Sequence, residues 1–340
     1  DVVADGQAFV ITGANVTLDL DGHTVVFGNN TAEQVSGVLV KNTGKATLCN
    51  GHIVQGARSK AYSAAVESRW RAEPTEIFAI RTDVHLPCAY PVKFLGKAAN
   101  VRIHHNLLYS RVIEIESRHY PGNDLLRLDI AGGHIRVNDN LLTEGCHVGI
   151  RLAGDGSAVE VDHNDIRHHM QYVNGYALAC ACPGLDVHHN RITSCGRGAH
   201  LTQEGIQLHD NYFDLVGHLD LDDMPAKSRP FKQVRVELHG IKFEDAKVKN
   251  CKVYGNYVRI VQKLPDKKWD YVPATPLNVA CYDPNAMNEI YDNTFVALTQ
   301  YRKTRHGGYG DSGQWASALY FVGMKSGPAE QGKWSAWIHD

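Results

Sequence analysis

The sequence predicts an all-β fold, arranged as one long solenoid of short stacked strands. A six-residue segment that ends in Asn recurs along the chain, and apolar and polar residues alternate within each copy, as in a half-buried β-strand. No stretch carries the apolar stripe of a surface helix. The seven copies are Val101–Asn106, Ile135–Asn140, Val159–Asn164, Leu185–Asn190, Ile206–Asn211, Cys251–Asn256 and Asn288–Asn293.

The spacing between the copies indicates the size of the repeat. Asn190 and Asn211 are 21 residues apart, and the two preceding steps are 24 and 26 residues. A period in the low twenties, with three short strands in each, predicts coils that bury their inner faces on their neighbours. Since the copies run nearly end to end, residues 1–340 are predicted to form one domain. Four earlier segments are predicted to contain further strands of this pattern: Phe9–Val25, Gly37–Ile53, Ile77–Ile80 and Pro91–Phe94.

The recurring Asn has a predicted structural role at the turn after each strand. A sharp turn pushes one residue into the left-handed region, and we expect the Asn to adopt that conformation. Stacked coils then bring the Asn side chains into a ladder that bonds backbone groups at the turn. His104 and His105, like His188 and His189, occupy adjacent template positions. We therefore expect the members of each pair to face opposite ways, as turn residues and not as metal ligands.

The composition excludes several classes of partner. With 35 Lys and Arg against 37 Asp and Glu, the net charge is -2, which predicts no general attraction to nucleic acid or to an acidic membrane surface. The chain has no apolar run of the roughly 18 residues that suggest a membrane-spanning helix, and strand-like sequence follows Asp1–Gly6 directly. We expect a soluble chain, either mature or trimmed. Cys180 and Cys182 alternate with Ala on the face of Leu178, which predicts core packing.

The quoted coils resemble those of right-handed parallel β-helix proteins of the pectate-lyase-like superfamily, over about residues 8–325. The resemblance implies a right-handed single-stranded parallel β-helix of about ten to eleven coils. It also implies a secreted or periplasmic, carbohydrate-active protein. The Trp-Ile-Asp-His pattern of pectate lyases is absent, as are the Asn-Thr-Asp and Gly-Asp-Asp signatures of polygalacturonases and the Asp-Pro-His-Asp motif of alginate epimerases. No catalytic residue is therefore transferred from a known family.

Long steps between copies predict inserted loops, which tend to mark the working side of a fold. Insertions are predicted near residues 117–124, 215–237 and 257–275, and a cap for the last coil near 325–340, where Trp334 and Trp337 lie. The three insertions flank the row of strands that includes Gly149–Leu152. We therefore predict a groove over the outward side chains of that row.

Alternation along Gly149–Leu152 points Ile150 and Leu152 inward and Arg151 outward. The equivalent outward positions on the other coils form a polar column, and two carboxylates lie two residues further along their own strands. The column is Glu114, Arg151, Ala179, His200, Lys242 and Asn278, with Glu116 and Glu244 beside it.

The leading hypothesis is a polysaccharide lyase that cleaves a uronic-acid polymer by β-elimination. Lys242 or His200 is the candidate base, Arg151 neutralises the sugar carboxylate, and Tyr120 is the candidate acid. Asp220, Asp222 and Asp223 suggest Ca²⁺ as the one cofactor, in a site that could also serve the sugar carboxylate. The predicted substrate-binding residues are Glu114, Glu116, Arg118, His119, Glu244, Asn278 and Trp269.

Two alternatives remain open at this stage. A glycoside hydrolase would use two carboxylates at roughly 5 to 10 Å from each other. The candidates are Glu244, Glu204 and the acidic loop formed by Asp220, Asp222 and Asp223. A binding or structural protein would instead hold an oligosaccharide on aromatic rings, for which Trp269, Tyr271, Tyr212 and Phe213 are candidates. The sequence leaves the oligomeric state open.

Overall fold

The computed structural model describes most of the chain. The described residues are 1–60, 62–69, 71–72, 74–86, 89–98, 100–111, 124–145, 147–155, 158–167, 176–217, 238–262, 274–281, 283, 285–299, 319–321 and 336–339. Over these ranges all regular structure is β, and no helix is long and apolar enough to cross a membrane. The all-β prediction is confirmed.

Within the described residues, twelve strands form one sheet, called here the second sheet. Its strands are short and lie side by side in chain order, apart from the small strand β8, which pairs with β10. They are β2 (Phe9–Ile11), β5 (Ser36–Val40), β7 (Ala64–Ser68), β8 (Arg71–Ala72), β10 (Tyr90–Ala98), β13 (Leu126–Ala131), β16 (Ile150–Ala153), β19 (Leu178–Ala181), β22 (Ala199–Leu201), β25 (Leu238–Glu244), β28 (Ala274–Ala280) and β31 (Leu319–Phe321).

Twenty strands in the described part of the chain form the other sheet, called here the first sheet. They are β1 (Val2–Val3), β3 (Val16–Asp19), β4 (Thr24–Phe27), β6 (Ala46–Gln55), β9 (Thr75–Val84), β11 (Asn100–His104), β12 (Leu107–Ser110), β14 (His134–Asn138), β15 (Leu141–Thr143), β17 (Ala158–Asp162), β18 (Asp165–Arg167), β20 (Asp186–His188), β21 (Arg191–Thr193), β23 (Gln207–His209), β24 (Tyr212–Gly217), β26 (Lys252–Tyr254), β27 (Tyr257–Gln262), β29 (Asn288–Tyr291), β30 (Thr294–Thr299) and β32 (Ala336–His339).

Every strand pairing in both sheets is parallel, and each strand pairs with its counterpart one repeat along the chain. Thus β17 pairs with β20, β18 with β21, and β16 with β19. Parallel neighbours need a long connection between them, and here that connection is the rest of the repeat. Successive repeats along the chain therefore add strands to both sheets.

The core lies on the inner faces of both sheets. Ile150 and Leu152 are buried and Arg151 points outward, as the alternation predicts. Leu178, Cys180 and Cys182 are likewise buried on one inner face, so the prediction of core packing for the two thiols is confirmed. Burial raises the pKa of the Cys180 thiol to about 12.

The predicted Asn ladder is present. Each Asn side chain donates from Nδ2 to Oδ1 of the next, at 2.9 or 3.0 Å, from Asn106 through to Asn293. The Oδ1 atoms also accept the backbone N–H of the preceding Asn, and Nδ2 donates to backbone carbonyls, as Asn190 does to Val161 at 2.8 Å. Six of the seven side chains are almost fully buried, so the ladder replaces the water that their polar atoms would otherwise bind.

The prediction that the Asn itself adopts the left-handed conformation is wrong. The residue just before it does so instead, with φ of 55° at His105, 54° at His189 and 53° at Asp210. This conformation turns the side chain of each such residue back toward its predecessor, so the two histidines of a pair do not face opposite ways. Nδ1 of His104 lies 2.9 Å from Nδ1 of His105, and the same contact in His188 and His189 is 2.8 Å.

The predicted insertions and cap are only partly described. Residues 112–123, 218–237 and 263–273 lie outside the described part of the chain, but β24 and β27 extend to Gly217 and Gln262 and so occupy residues predicted to be looped out. Trp337, which is predicted to cover the last coil, is on the final described strand. It lies in β32, is 53% exposed, and pairs in register with Glu289. Trp334 lies outside the described residues.

Candidate functional site

The outward column of the second sheet follows the predicted register from Arg151 onward. Arg151 pairs with Ala179, Ala179 with His200, His200 with Lys242, and Lys242 with Asn278. Parallel strands lie about 4.8 Å apart, so these side chains are spaced along the sheet at that interval.

Arg127, and not Glu114, is the neighbour of Arg151 on the preceding strand, which corrects the predicted start of the column. The sequence contained a usable signal for this position, because Arg127 precedes Asn140 by 13 residues and Arg151 precedes Asn164 by the same number. The column continues backward through Lys93 to Glu67. Its outward groups are thus mainly cationic before Ala179.

Two arginines share one carboxylate in this part of the column. Arg127 donates from Nε to Asp129 at 2.7 Å, and Arg151 donates from Nε to the other oxygen of Asp129 at 3.2 Å. One negative charge thus serves two positive ones, which leaves a net positive charge at this point. Arg127 also reaches the hydroxyl of Tyr90 at 3.4 Å.

A second cluster forms around Glu244, where His200 and Lys242 converge on one carboxylate oxygen. Nε2 of His200 lies 2.9 Å and Nζ of Lys242 2.7 Å from Oε2 of Glu244. The interaction with His200, with a further contribution from Lys242, outweighs the effect of burial and lowers the pKa of Glu244 to about 2. The ring of His200 stacks on Tyr176 at 4.5 Å between centroids. Glu244 is therefore a stable anion that orients the imidazole.

Small side chains separate the two clusters. Ala179 lies between Arg151 and His200 in the column, and Ala153 and Ala181 are paired two residues further along. Arg151 and His200 are two strands, or roughly 10 Å, apart. This alanine floor gives a shallow space bounded by a guanidinium on one side and an imidazole on the other.

Buried polar side chains lie just before the N-terminal ends of strands in the same sheet, ahead of the column residues in sequence. His147 Nδ1 contacts Asp124 Oδ1 at 2.7 Å, and both residues are almost fully buried. Arg197 lies over the ring of Tyr176 at 5.3 Å. Sequence reasoning missed these residues because they precede the alternating part of each strand.

Glu67 is a buried carboxylate on the outward column. Burial opposes its ionisation, but hydrogen bonds from Arg69 at 2.9 Å and Ser36 at 2.5 Å, with the charge of Lys93, outweigh burial and lower its pKa. Lys93 Nζ lies 3.2 Å from its free oxygen. These neighbours hold Glu67 as an anion, which favours a structural role at one end of the column.

Several predicted site residues do not present a side chain to the groove. Asn278 is in register but only 3% exposed, and its amide lies 3.3 Å from Nδ1 of His239. Glu204 lies in a turn and pairs with Lys249 at 3.0 Å. Phe213 is a core residue and Tyr212 belongs to the first sheet, so neither ring lines the groove. Ten further predicted site residues lie outside the described part of the chain: Glu114, Glu116, Arg118, His119, Tyr120, Asp220, Asp222, Asp223, Trp269 and Tyr271.

A separate cleft of about 790 Å³ lies over the outer face of the first sheet. Its polar lining mixes both signs of charge, and includes Arg102, Arg136, Glu160 and Asp186. Comparison of the chain with protein-family models, with curated proteins and with solved structures finds no match. The function has to be inferred from the geometry of this chain alone.

Proposed function

We propose that the chain is a right-handed parallel β-helix of about ten to eleven coils that binds an acidic polysaccharide along the second sheet and cleaves it by β-elimination. The fold part is supported by the exclusively parallel pairing of each described strand with its counterpart one repeat on. The class of substrate is supported by the cationic column, in which Lys93, Arg127, Arg151, His200 and Lys242 follow one another with one alanine between.

The observation that carries the proposal is the alanine floor with Arg151 on one side and His200 on the other. A sugar ring on this floor places its carboxylate against Arg151, whose free N–H groups form a fork for carboxylates. The hydrogen on the ring carbon that bears the carboxylate then faces the imidazole of His200. Withdrawal of charge by the arginine makes this carbon-bound proton easier to remove.

His200 fits the role of base better than Lys242. Nε2 of His200 lies 2.9 Å from Oε2 of Glu244, and in the tautomer that carries its proton on Nε2 the ring has Nδ1 as its proton acceptor. Lys242 contacts the same carboxylate at 2.7 Å, an ion pair that requires the ammonium form. Lys242 is therefore assigned to charge neutralisation.

The proposed reaction conserves atoms and charge without a redox partner. Nδ1 of His200 takes the proton adjacent to the sugar carboxylate, the freed electron pair forms a carbon–carbon double bond, and the bond to the glycosidic oxygen breaks. The leaving oxygen receives a proton from an acid, for which Tyr120 remains the sequence-based candidate. The product is an unsaturated sugar and a new chain end.

The hydrolase alternative receives no support from the described carboxylates of the groove. Asp129 and Glu244 are separated by four strand spacings, about 19 Å, which exceeds the roughly 5 to 10 Å used by glycosidases. The acidic loop that would supply other carboxylates lies outside the described residues.

The test is ultraviolet absorbance of the unsaturated product, measured on a panel of polyuronates and of neutral polysaccharides. We expect activity on at least one polyuronate, a loss of about 100-fold or more in kcat for His200→Ala, and a loss mainly in KM for Lys242→Ala. Arg151→Ala should lower kcat/KM on the same polymer.

Lys252→Ala is the matched control, since Lys252 pairs with Glu289 at 3.6 Å on the first sheet much as Lys242 pairs with Glu244 on the second. It should leave turnover unchanged. New reducing ends without ultraviolet absorbance would mean that the reaction is hydrolysis and not elimination. Binding without any product would mean that the protein only binds glycans.

A further inference from the structure

The cleft over the first sheet runs across several strands, in the direction in which the repeats stack. Its lining extends from Lys45, just before β6, to Gln207 on β23, and crosses β9, β11, β14, β17 and β20 between them. Six strand spacings of about 4.8 Å make it about 29 Å long. Its volume of about 790 Å³ lies within the roughly 300 to 1,000 Å³ of ligand pockets. The cleft therefore has the size of a ligand site and an elongated shape.

One end of the cleft carries polar side chains that make no hydrogen bond within the described residues. Arg102 approaches a carboxylate oxygen of Glu76 only to 3.8 Å, and Lys45 approaches the other oxygen only to 3.8 Å. The side chains of Arg102 and Lys45 are 49% and 61% exposed. His134 and Asn100, which also line the cleft, are exposed. This end therefore presents several hydrogen-bond donors to a ligand.

Two arginines lie side by side in the middle of the cleft. Arg102 pairs in register with Arg136, which places like charges on adjacent strands, an unfavourable arrangement. Arg136 is held by both oxygens of Asp162, at 3.0 and 2.9 Å, whereas no carboxylate binds Arg102 in this way. A guanidinium binds a carboxylate through two parallel hydrogen bonds. Arg102 is thus the group best suited to receive an acidic ligand.

The other end of the cleft carries two carboxylates that histidines hold in place. Oε1 of Glu160 lies 3.1 Å from Nε2 of His188, and Oδ1 of Asp186 lies 3.1 Å from Nε2 of His209. Glu160 and Asp186 are 39% and 41% exposed, and Oδ2 of Asp186 makes no hydrogen bond within the described part of the chain. Oriented carboxylates accept hydrogen bonds from hydroxyl groups with little further loss of side-chain freedom.

The apolar part of the lining offers no pocket for an apolar side chain. Val101, Ile135 and Val159 belong to the core and are at most 4% exposed. The exposed residues without a polar side chain are the small Ala158 and Gly184. A ligand rich in hydroxyl groups fits this lining better than an apolar peptide does.

We propose that the cleft on the first sheet binds an acidic oligosaccharide. A sugar carboxylate is bound by Arg102, and sugar hydroxyls donate hydrogen bonds to Asp186 and Glu160. The site is distinct from the groove that holds Arg151 on the second sheet. It takes no part in the proposed cleavage, and its assignment does not depend on that reaction.

The experiment is a calorimetric titration of protein that carries Arg151→Ala and His200→Ala, which weakens the groove and prevents the proposed turnover. The probes are short oligomers of galacturonate and of mannuronate, with their carboxyl-reduced, neutral counterparts. We expect at least one acidic oligomer to bind, and its neutral counterpart to bind about tenfold more weakly or worse. Adding Arg102→Ala should weaken binding of the acidic oligomer by about tenfold or more. Arg102→Lys, which keeps the charge but not the fork, should have an intermediate effect, and Asp186→Ala should weaken binding by about threefold or more.

Arg191→Ala is the matched control. Arg191 is 54% exposed and lies 3.5 Å from Asp165 in another strand row of the same sheet, outside the cleft. It should leave the affinity within about threefold. The proposal is overturned if no acidic oligomer binds, if the neutral counterparts bind equally well, or if Arg102→Ala costs no more than Arg191→Ala. Circular dichroism of each variant separates loss of binding from loss of fold. A lack of unsaturated product from the unaltered protein would count against the proposed cleavage alone, because binding to this cleft is measured without turnover.

Discussion

At the scale of single residues, Glu244 is the group on which the proposed active site depends. Its pKa of about 2 keeps it ionised near neutral pH, so His200 and Lys242 meet an anion there. Nearly half of the Glu244 side chain is exposed, so solvent weakens these contacts. The carboxylate acts mainly by orienting its two partners.

This arrangement predicts a pH-dependent contribution of Glu244 to stability. Because its folded-state pKa is lowered from 4.5 to about 2, the contribution is fully present above pH 4.5 and is lost as the pH falls toward 2. Glu244→Gln should therefore lower Tm at pH 6, and the two Tm values should converge near pH 2. Calorimetric scans between pH 2 and 7 measure the difference.

Glu289→Gln is the control for this measurement, since Glu289 contacts Lys252 at 3.6 Å on the other sheet. Its difference from the unaltered protein should change less with pH than that of Glu244→Gln. A Tm difference for Glu244→Gln that stayed constant from pH 6 to pH 2 would contradict the strong interaction assigned to His200 and Lys242.

At the scale of the structural element, the turn between β20 and β21 shows how each repeat is held to the next. The side chain of Asn190 bonds to Asn164 on one side and Asn211 on the other, and also donates to the carbonyls of Val161 and His188. The residue before it takes the left-handed conformation, so the Asn is left free to point inward. Turn geometry and side-chain ladder thus depend on each other.

Removal of one ladder member should be costly. Asn190→Ala leaves the buried amide of Asn164 and the carbonyl of Val161 without their partners, and each unsatisfied buried group costs about 1 to 3 kcal/mol. We expect the free energy of unfolding to fall by about 3 kcal/mol, measured by urea denaturation. Asn29→Ala, at an exposed position, is the control and should change it by less than about 0.5 kcal/mol. Equal effects of the two substitutions would contradict the structural role of the ladder.

The sequence predicted the ladder and the strand rows because both follow from periodicity. Alternation placed Arg151, His200 and Lys242 outward, and the pairing of equivalent strands in successive repeats puts them in one column. Prediction from the sequence failed where contacts depend on backbone dihedral angles. The left-handed conformation of His189 leaves no mark in the alternation, so the sequence could not show that the ring turns back onto His188.

The groove was predictable only in part, for a related reason. Glu244, two residues after Lys242, follows from strand periodicity, and its contact with His200 follows from register. Asp124 and His147 contact each other just before the N-terminal ends of their strands. The alternation of apolar and polar residues has not yet begun there, so it could not predict the contact. Asn278 has the outward position but is only 3% exposed and contacts His239 on the neighbouring strand, so alternation alone does not predict exposure.

At the scale of the whole molecule, stability is expected to vary along the chain. Each repeat pairs only with the repeats before and after it, so contacts are quasi-one-dimensional. Repeats at the ends have one partner and interior repeats have two. Opening therefore costs least at the ends and most in the middle.

Buried thiols report this gradient, because they react only when the structure around them opens. Cys49, Cys180 and Cys281 are each 3% exposed or less and lie near the beginning, the middle and the end of the described strands. The pKa of Cys180 is raised to about 12, so its thiolate, the reactive form, is scarce while the protein is folded. Cys88 and Cys146 lie outside the described residues and are best replaced by Ser.

We predict that, in this Ser-substituted protein, Cys49 and Cys281 react with a thiol reagent under native conditions at least about tenfold faster than Cys180, because local fraying exposes the end repeats without unfolding the centre. Mass spectrometry of peptides after timed labelling measures each rate separately. The same reagent on protein unfolded in guanidinium gives the control, in which the three rates should agree to within about threefold. Equal native rates at all three sites would mean that the chain opens as a single cooperative unit, and the quasi-one-dimensional description of its stability would then be wrong.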